Sequence, residues 1–125
     1  MPTRVNPSGR VTVIVDAPPF SERAGEALDI AAAMTAAGTG IRAAFFIGGA
    51  VLTGASFLSP PGGGPDLQRA WTELSGKAGF PLLLCPTAAE QYGITGDHGL
   101  QDGWQLSSLS VPGESLSLGV RTVIL

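Results

Sequence analysis

Cysteine occurs once in this chain of 125 residues, as Cys85, and histidine once, as His98. A single cysteine excludes an internal disulfide framework and fits a reducing compartment. One histidine beside one cysteine leaves no cluster with metal-ligand spacing. Charge is scarce too: 14% of residues are Asp, Glu, Lys or Arg, and the net charge is -3. That balance argues against a broad nucleic-acid footprint. Long apolar runs are missing. The longest, Ile41 to Leu52, is interrupted by Arg42 and two glycines and is too short to span a membrane. Met1-Pro2-Thr3-Arg4 is followed by no apolar core, so no signal peptide is expected and a cytoplasmic protein is. Phosphate-loop signatures are absent as well. Gly62-Gly63-Gly64 has no Gly-Lys-Ser/Thr after it, and no Gly-x-Gly-x-x-Gly opens a helix.

What is present is apolar: 44% of residues are hydrophobic and 18 are glycine. The length is that of one domain, 1–125, with a real core. So little charge implies that much surface is buried, inside the domain or against other subunits. Residues 1–9 are polar, contain two prolines and read as a loose arm. Val11 to Val15 is a β-branched run and reads as a first strand. Ser21 has N-cap chemistry, and a helix should run from there to about Ala37 and stop at Gly38. Ala27, Ile30, Ala31 and Met34 carry the spacing of its core face, with Glu22, Glu26 and Asp29 on a solvated one.

Arg42 to Ile47 reads as a second strand. The Gly- and Pro-rich stretch from Gly48 to Pro65 is too long for an ordinary connection, and it reads as a loop that is either functional, as in gating the site, or mobile. Asp66 to Ala78 is the clearest helix, with Trp71 on its core face and Arg69 and Glu73 four residues apart as an ion pair. After the turn Thr95 to Gly99, in which His98 should be exposed, Trp104 to Ser107 reads as a fourth strand. Val111 to Leu118 could hold a short helix, and Arg121 to Leu125 a final strand. Strands alternating with helices imply a mostly parallel sheet with helices on both faces.

The chemistry converges on Cys85. It ends the apolar run Phe80-Pro81-Leu82-Leu83-Leu84, and Pro86-Thr87-Ala88-Ala89-Glu90-Gln91 follows with proline where a helix begins. That places the thiol between a strand's C-terminal end and a helix N-terminus, where open α/β sheets carry their sites. A helix start also favours negative charge, and so a nucleophilic thiolate. The competing reading is a small hydrophobe packed in the core. No histidine motif adjoins Cys85, so no Cys–His pair is visible. A signalling receiver domain would carry aspartate at this strand end; this chain carries Cys85.

Three segments together resemble the DsrE/TusD family of sulfur-relay proteins: Asp66 to Trp71, Leu82 to Ala89, and Gly99 to Ser107. Phe45-Phe46 and the strand led by Arg121 fit as well. The resemblance implies a three-layer α/β/α sandwich with a mostly parallel five-stranded sheet. It implies a persulfide-carrying cysteine at Cys85, with no metal or organic cofactor. It also implies a TusA-like sulfur donor and a DsrC/TusE-like acceptor. The expected assembly is a hetero-hexamer with DsrF/DsrH-like (TusC/TusB-like) paralogues, or a homo-oligomer. The sulfur would end in tRNA thiolation or dissimilatory sulfur oxidation, without direct contact with nucleic acid or membrane. Two alternatives stand beside this: a non-catalytic structural subunit, and a standalone homo-oligomer that binds sulfur or a small ligand. Two places depart from the family pattern. Gln91-Tyr92-Gly93 stands where relatives often carry basic residues, and Ile47 to Leu52 where they carry polar or charged ones.

Overall fold

The computed structural model describes residues 10–58, 66–107 and 121–125. The apolar runs form five strands: β1 (Val11–Val15), β2 (Ile41–Phe46), β3 (Leu82–Leu84), β4 (Trp104–Leu106) and β5 (Arg121–Ile124). They make one sheet in the order β4-β3-β2-β1-β5, and every pairing is parallel. Three α-helices alternate with them: α1 (Glu22–Ala36), α2 (Leu67–Ala78) and α3 (Pro86–Gln91). From β1 to β4 the chain steps in one direction, with α1, α2 and α3 in the three connections. The arm at residues 1–9 and the short helix expected at Val111 to Leu118 lie outside the described residues.

Side chains alternate across the sheet, because successive residues of a strand point to opposite faces. On one face Val11, Val13 and Val15 of β1, Ala44 and Phe46 of β2, Leu82 and Leu84 of β3 and Trp104 of β4 form the main core with Trp71, Ala27 and Ala31 from the helices. Ala43, Phe45 and Leu83 form a second buried cluster on the other. Because both faces are covered, β2 and β3 read as unbroken apolar runs rather than alternating ones. Phe46 is the centre of the main core. Its ring meets the edges of Trp71 and Trp104, with centroids 5.2 and 4.9 Å away. Such pairs contribute about 0.5–1.5 kcal/mol each beyond the area they bury. The Trp104 indole N–H donates to Thr72 Oγ1 at 3.1 Å, so this buried ring leaves no polar atom unpaired.

Several local expectations shift. The core stripe of α1 is Ala24, Ala27 and Ala31, with Leu28 and Met34 packed beside it. Ile30 falls off that stripe and is 47% exposed, because residue 31 rather than residue 30 continues the turn from Ala27 inward. Ser21 occupies the N-cap, but its hydroxyl donates back to the Pro18 carbonyl at 2.8 Å and caps no helix amide. Asp66 does cap α2, accepting from the Arg69 amide at 3.0 Å. Arg69 pairs with this same Asp66 at 3.9 Å rather than with Glu73, since the cap already holds the carboxylate over the first turn.

The largest correction falls on the expected loop after β2. Its first part is a 3-10 helix, Gly48–Gly54, with Ala50, Val51, Thr53 and Gly54 buried. Apolar Ala50, Val51 and Ala55 pull this segment into the core despite its glycines. The Gln68 side-chain amide fastens its end by donating to the carbonyls of Thr53 at 3.0 Å and Ala55 at 2.7 Å. Gly54 is required there. A Cβ at that position would lie 2.7 Å from the Trp104 ring and 2.8 Å from Leu84.

Gly54→Ala should therefore lower stability by about 1–3 kcal/mol, the usual penalty for overpacking. Denaturant titration reads it, and a variant as stable as the parent would contradict this packing. Gln68→Ala strips two buried carbonyls of their donor, and the loss should be about 1–3 kcal/mol. Amide exchange should then rise first around Thr53 to Ala55; protection unchanged there would show that the clamp is idle.

Candidate functional site

Cys85 stands where the sequence placed it, one residue past β3 and at the N-cap of α3. Its amide donates to the Phe46 carbonyl at 2.9 Å, extending the β2–β3 ladder by one bond. Its carbonyl accepts from the Ala89 amide at 2.9 Å, closing the first turn of α3. Both backbone groups are therefore fixed, and the backbone is extended, with φ -62° and ψ 120°. Pro86 at the first helical position commits the chain to turn here. The side chain is half-buried. It packs at the border of both cores, beside the cluster of Ala43, Phe45 and Leu83 and near Ile47. The thiol thus rests on an apolar floor at the sheet's C-terminal edge.

The helix behind it is short, six residues. Proline has no N–H and the Cys85 amide is taken by Phe46, so the first turn of α3 has the amides of Thr87 and Ala88 left to offer a negative sulfur. The strand-order reversal lies at β1, between β2 and β5, two strands from Cys85. Position at the C-terminal edge is thus met, whereas the switch-point crevice of open sheets is elsewhere.

Loops after β1 and β2 and the end of α3 close in around this edge. A Cβ on Gly49 would come within 3.1 Å of the Pro18 ring and 3.6 Å of the Tyr92 hydroxyl oxygen, so these three segments meet with little room between them. On the outer side of α3 an open cleft of about 270 Å3 is lined by Pro86, Thr87, Glu90, Ile94, Thr95, Gly96 and Leu106. It begins at the residues immediately after Cys85. Ile94, 1% exposed, anchors its floor, and Thr95 and Gly96 form its far wall. His98 is exposed and is not among the lining residues. The cleft was not foreseen. Its signal was the lone apolar Ile94 among polar residues and glycines, which marks a point where the turn is pinned to the core. Among the described residues no group of His, Cys, Asp or Glu could hold a metal ion, and no helix is long and apolar enough to cross a membrane.

Comparison with known proteins bears on the fold and the family. The chain is 32% identical over 117 residues to a protein named sulfurtransferase TusD from Cronobacter sakazakii, covering 85% of this chain and 91% of the relative. It is 31% identical, with the same coverage, to a sulfurtransferase TusD from Salmonella arizonae. The crystal structure of the ychN protein from E. coli superimposes with a TM-score of 0.77 at 22% identity, covering 93% of this chain and 98% of that one. The fold is the three-layer α/β/α sandwich with a five-stranded parallel sheet. The model of the DsrE/DsrF-like family matches residues 9–119, and the chain belongs to that family.

Proposed function

We propose that this chain is a sulfurtransferase subunit in which Cys85 carries sulfur as a persulfide. One observation carries the reading: in a family whose similar members are named sulfurtransferases, the sole cysteine sits half-buried at the C-terminal edge of β3 with its backbone fixed on both sides. The Cys85 thiolate attacks the outer sulfur of a donor persulfide. The donor's sulfur–sulfur bond breaks and its electron pair leaves on the donor thiolate. A new sulfur–sulfur bond now holds the sulfur on Cys85. An acceptor thiolate repeats the step on that outer sulfur and returns Cys85 to a thiolate. No net oxidation occurs, so the balance requires no external electrons.

The donor in this reading is a TusA-like protein and the acceptor a DsrC/TusE-like one, in the cytoplasm. The subunit works beside TusC/TusB-like paralogues or further copies of itself. Exposed Phe20, Phe57 and Ile124 are apolar surface that such an assembly can cover. The apolar floor under Cys85 supports the carrier role in another way, because it keeps water from one side of the persulfide.

Cys85→Ser tests the assignment. The exchange hardly changes volume at a half-buried position, so the thermal midpoint should stay within about 4 °C of the parent's, equivalent to ~1 kcal/mol or less. Mixed with a persulfide donor, the parent should gain one reducible sulfur on the Cys85 peptide by mass spectrometry, and the variant none. Iodoacetamide should also alkylate the folded parent. A thiol that reacts only after denaturation, or a parent that never gains sulfur, would leave Cys85 as a packing residue.

A further inference from the structure

The lysines and arginines among the described residues are sorted by the fold. No lysine or arginine lies between Lys77 and Arg121, a stretch that includes Cys85, α3, the cleft and β4. Arg10 immediately precedes β1, Arg42 is the second residue of β2, Lys77 is in the last turn of α2, and Arg121 opens β5. All four positions belong to the N-terminal edge of the sheet. Arg23 and Arg69, in the first turns of α1 and α2, are engaged by Asp16 and Asp66. Those two first turns follow β1 and β2 and lie at the C-terminal edge, so each cation there is beside an aspartate, and neither belongs to the segment around Cys85. Glu90 lines the cleft that begins just after Cys85, and Asp97 is next in sequence to the lining residue Gly96; both are exposed. Outside the described residues, 59–65 and 108–120 hold no lysine or arginine and one charged residue, Glu114, while 1–9 hold the seventh cation, Arg4.

We infer that the cleft beside Cys85 docks a partner protein whose reacting cysteine is flanked by lysine or arginine. This rests on Cys85 being the reacting thiol. The charge complementarity follows from the sorting above: an incoming acidic surface meets Glu90 and Asp97 in a segment, 78–120, that holds no lysine or arginine to offset the repulsion, and a basic one is drawn in. Apolar Pro86 and Leu106 supply contact surface beside Glu90, over the buried Ile94. Like-charge juxtaposition excludes wrong partners and opposite charge speeds encounter, so the cleft sets specificity more than affinity.

The test uses the full chain and two synthetic peptides, identical except that lysines flank the single cysteine in one and glutamates in the other. Each peptide cysteine is blocked as its mixed disulfide with thionitrobenzoate. The Cys85 thiolate attacks the peptide sulfur, a Cys85–peptide disulfide forms, and thionitrobenzoate leaves as a coloured thiolate. Rates are divided by those of free N-acetylcysteine with the same peptide and salt. At low salt the lysine peptide should react roughly threefold to tenfold faster than the glutamate peptide, for two charges near the thiol in high dielectric. Physiological salt should shrink that ratio, and Glu90→Gln with Asp97→Asn should nearly remove it. Equal rates, a faster glutamate peptide, a ratio untouched by the two substitutions, or no reaction with either peptide would overturn the proposal. The relay reading fails separately: a strong lysine preference in a chain that takes up no sulfur would leave the basic partner and remove the sulfur transfer.

Discussion

Phe46 is the residue on which the site depends. Its ring is clamped between Trp71 from α2 and Trp104 from β4, and its carbonyl holds the Cys85 amide at 2.9 Å. Packing on one side of the strand therefore sets the position of the thiol at its end. Trp104 is held in turn by Thr72, and Gly54 leaves the space that lets Trp104 and Leu84 close up beneath the 3-10 helix. Each contact is ordinary in strength. Together they fix the backbone of the C-terminal edge at Cys85, which is what the proposed sulfur-carrying role asks of it.

The electrostatic arrangement follows from the same architecture. A parallel sheet puts every strand start on one edge and every strand end on the other. Cations placed at strand starts and at the end of α2 thus collect away from Cys85. The thiol then packs against the apolar floor of Ala43, Phe45 and Leu83, and the cleft that begins at the next residue carries the acidic Glu90 on its lining. A sulfur carrier benefits from both, since water and stray anionic reagents compete with the intended partner.

Strands and helices buried by long, regular apolar patterns were legible in the sequence. β1, α2 and β3 lie close to where the runs Val11 to Val15, Asp66 to Ala78 and Phe80 to Leu84 put them. Cys85 itself was legible because a proline marks the helix start after it. Other features were hidden because the deciding partner is distant in sequence. The 3-10 helix at Gly48–Gly54 looks like a loop locally and is ordered by Gln68 and the core. Ser21 looks like a cap and is diverted to the Pro18 carbonyl. Ile30 looks buried by spacing from Ala27 alone, but the α1 stripe is set by where the sheet lies. The cleft beyond α3 arises from Ile94 tying a polar turn to the core, a contact no local pattern announces.

The central claim is that Cys85 gives sulfur up as well as taking it. The most direct measurement is a single-turnover chase with the parent chain loaded with radiolabelled sulfur on Cys85 and then mixed with an acceptor protein thiol. Attack on the outer sulfur should move the label to the acceptor in step with its loss from this chain, and leave Cys85 as a free thiol. Label that stays on Cys85, or that leaves as free sulfide while Cys85 and the acceptor become joined by a disulfide, would contradict a carrier role.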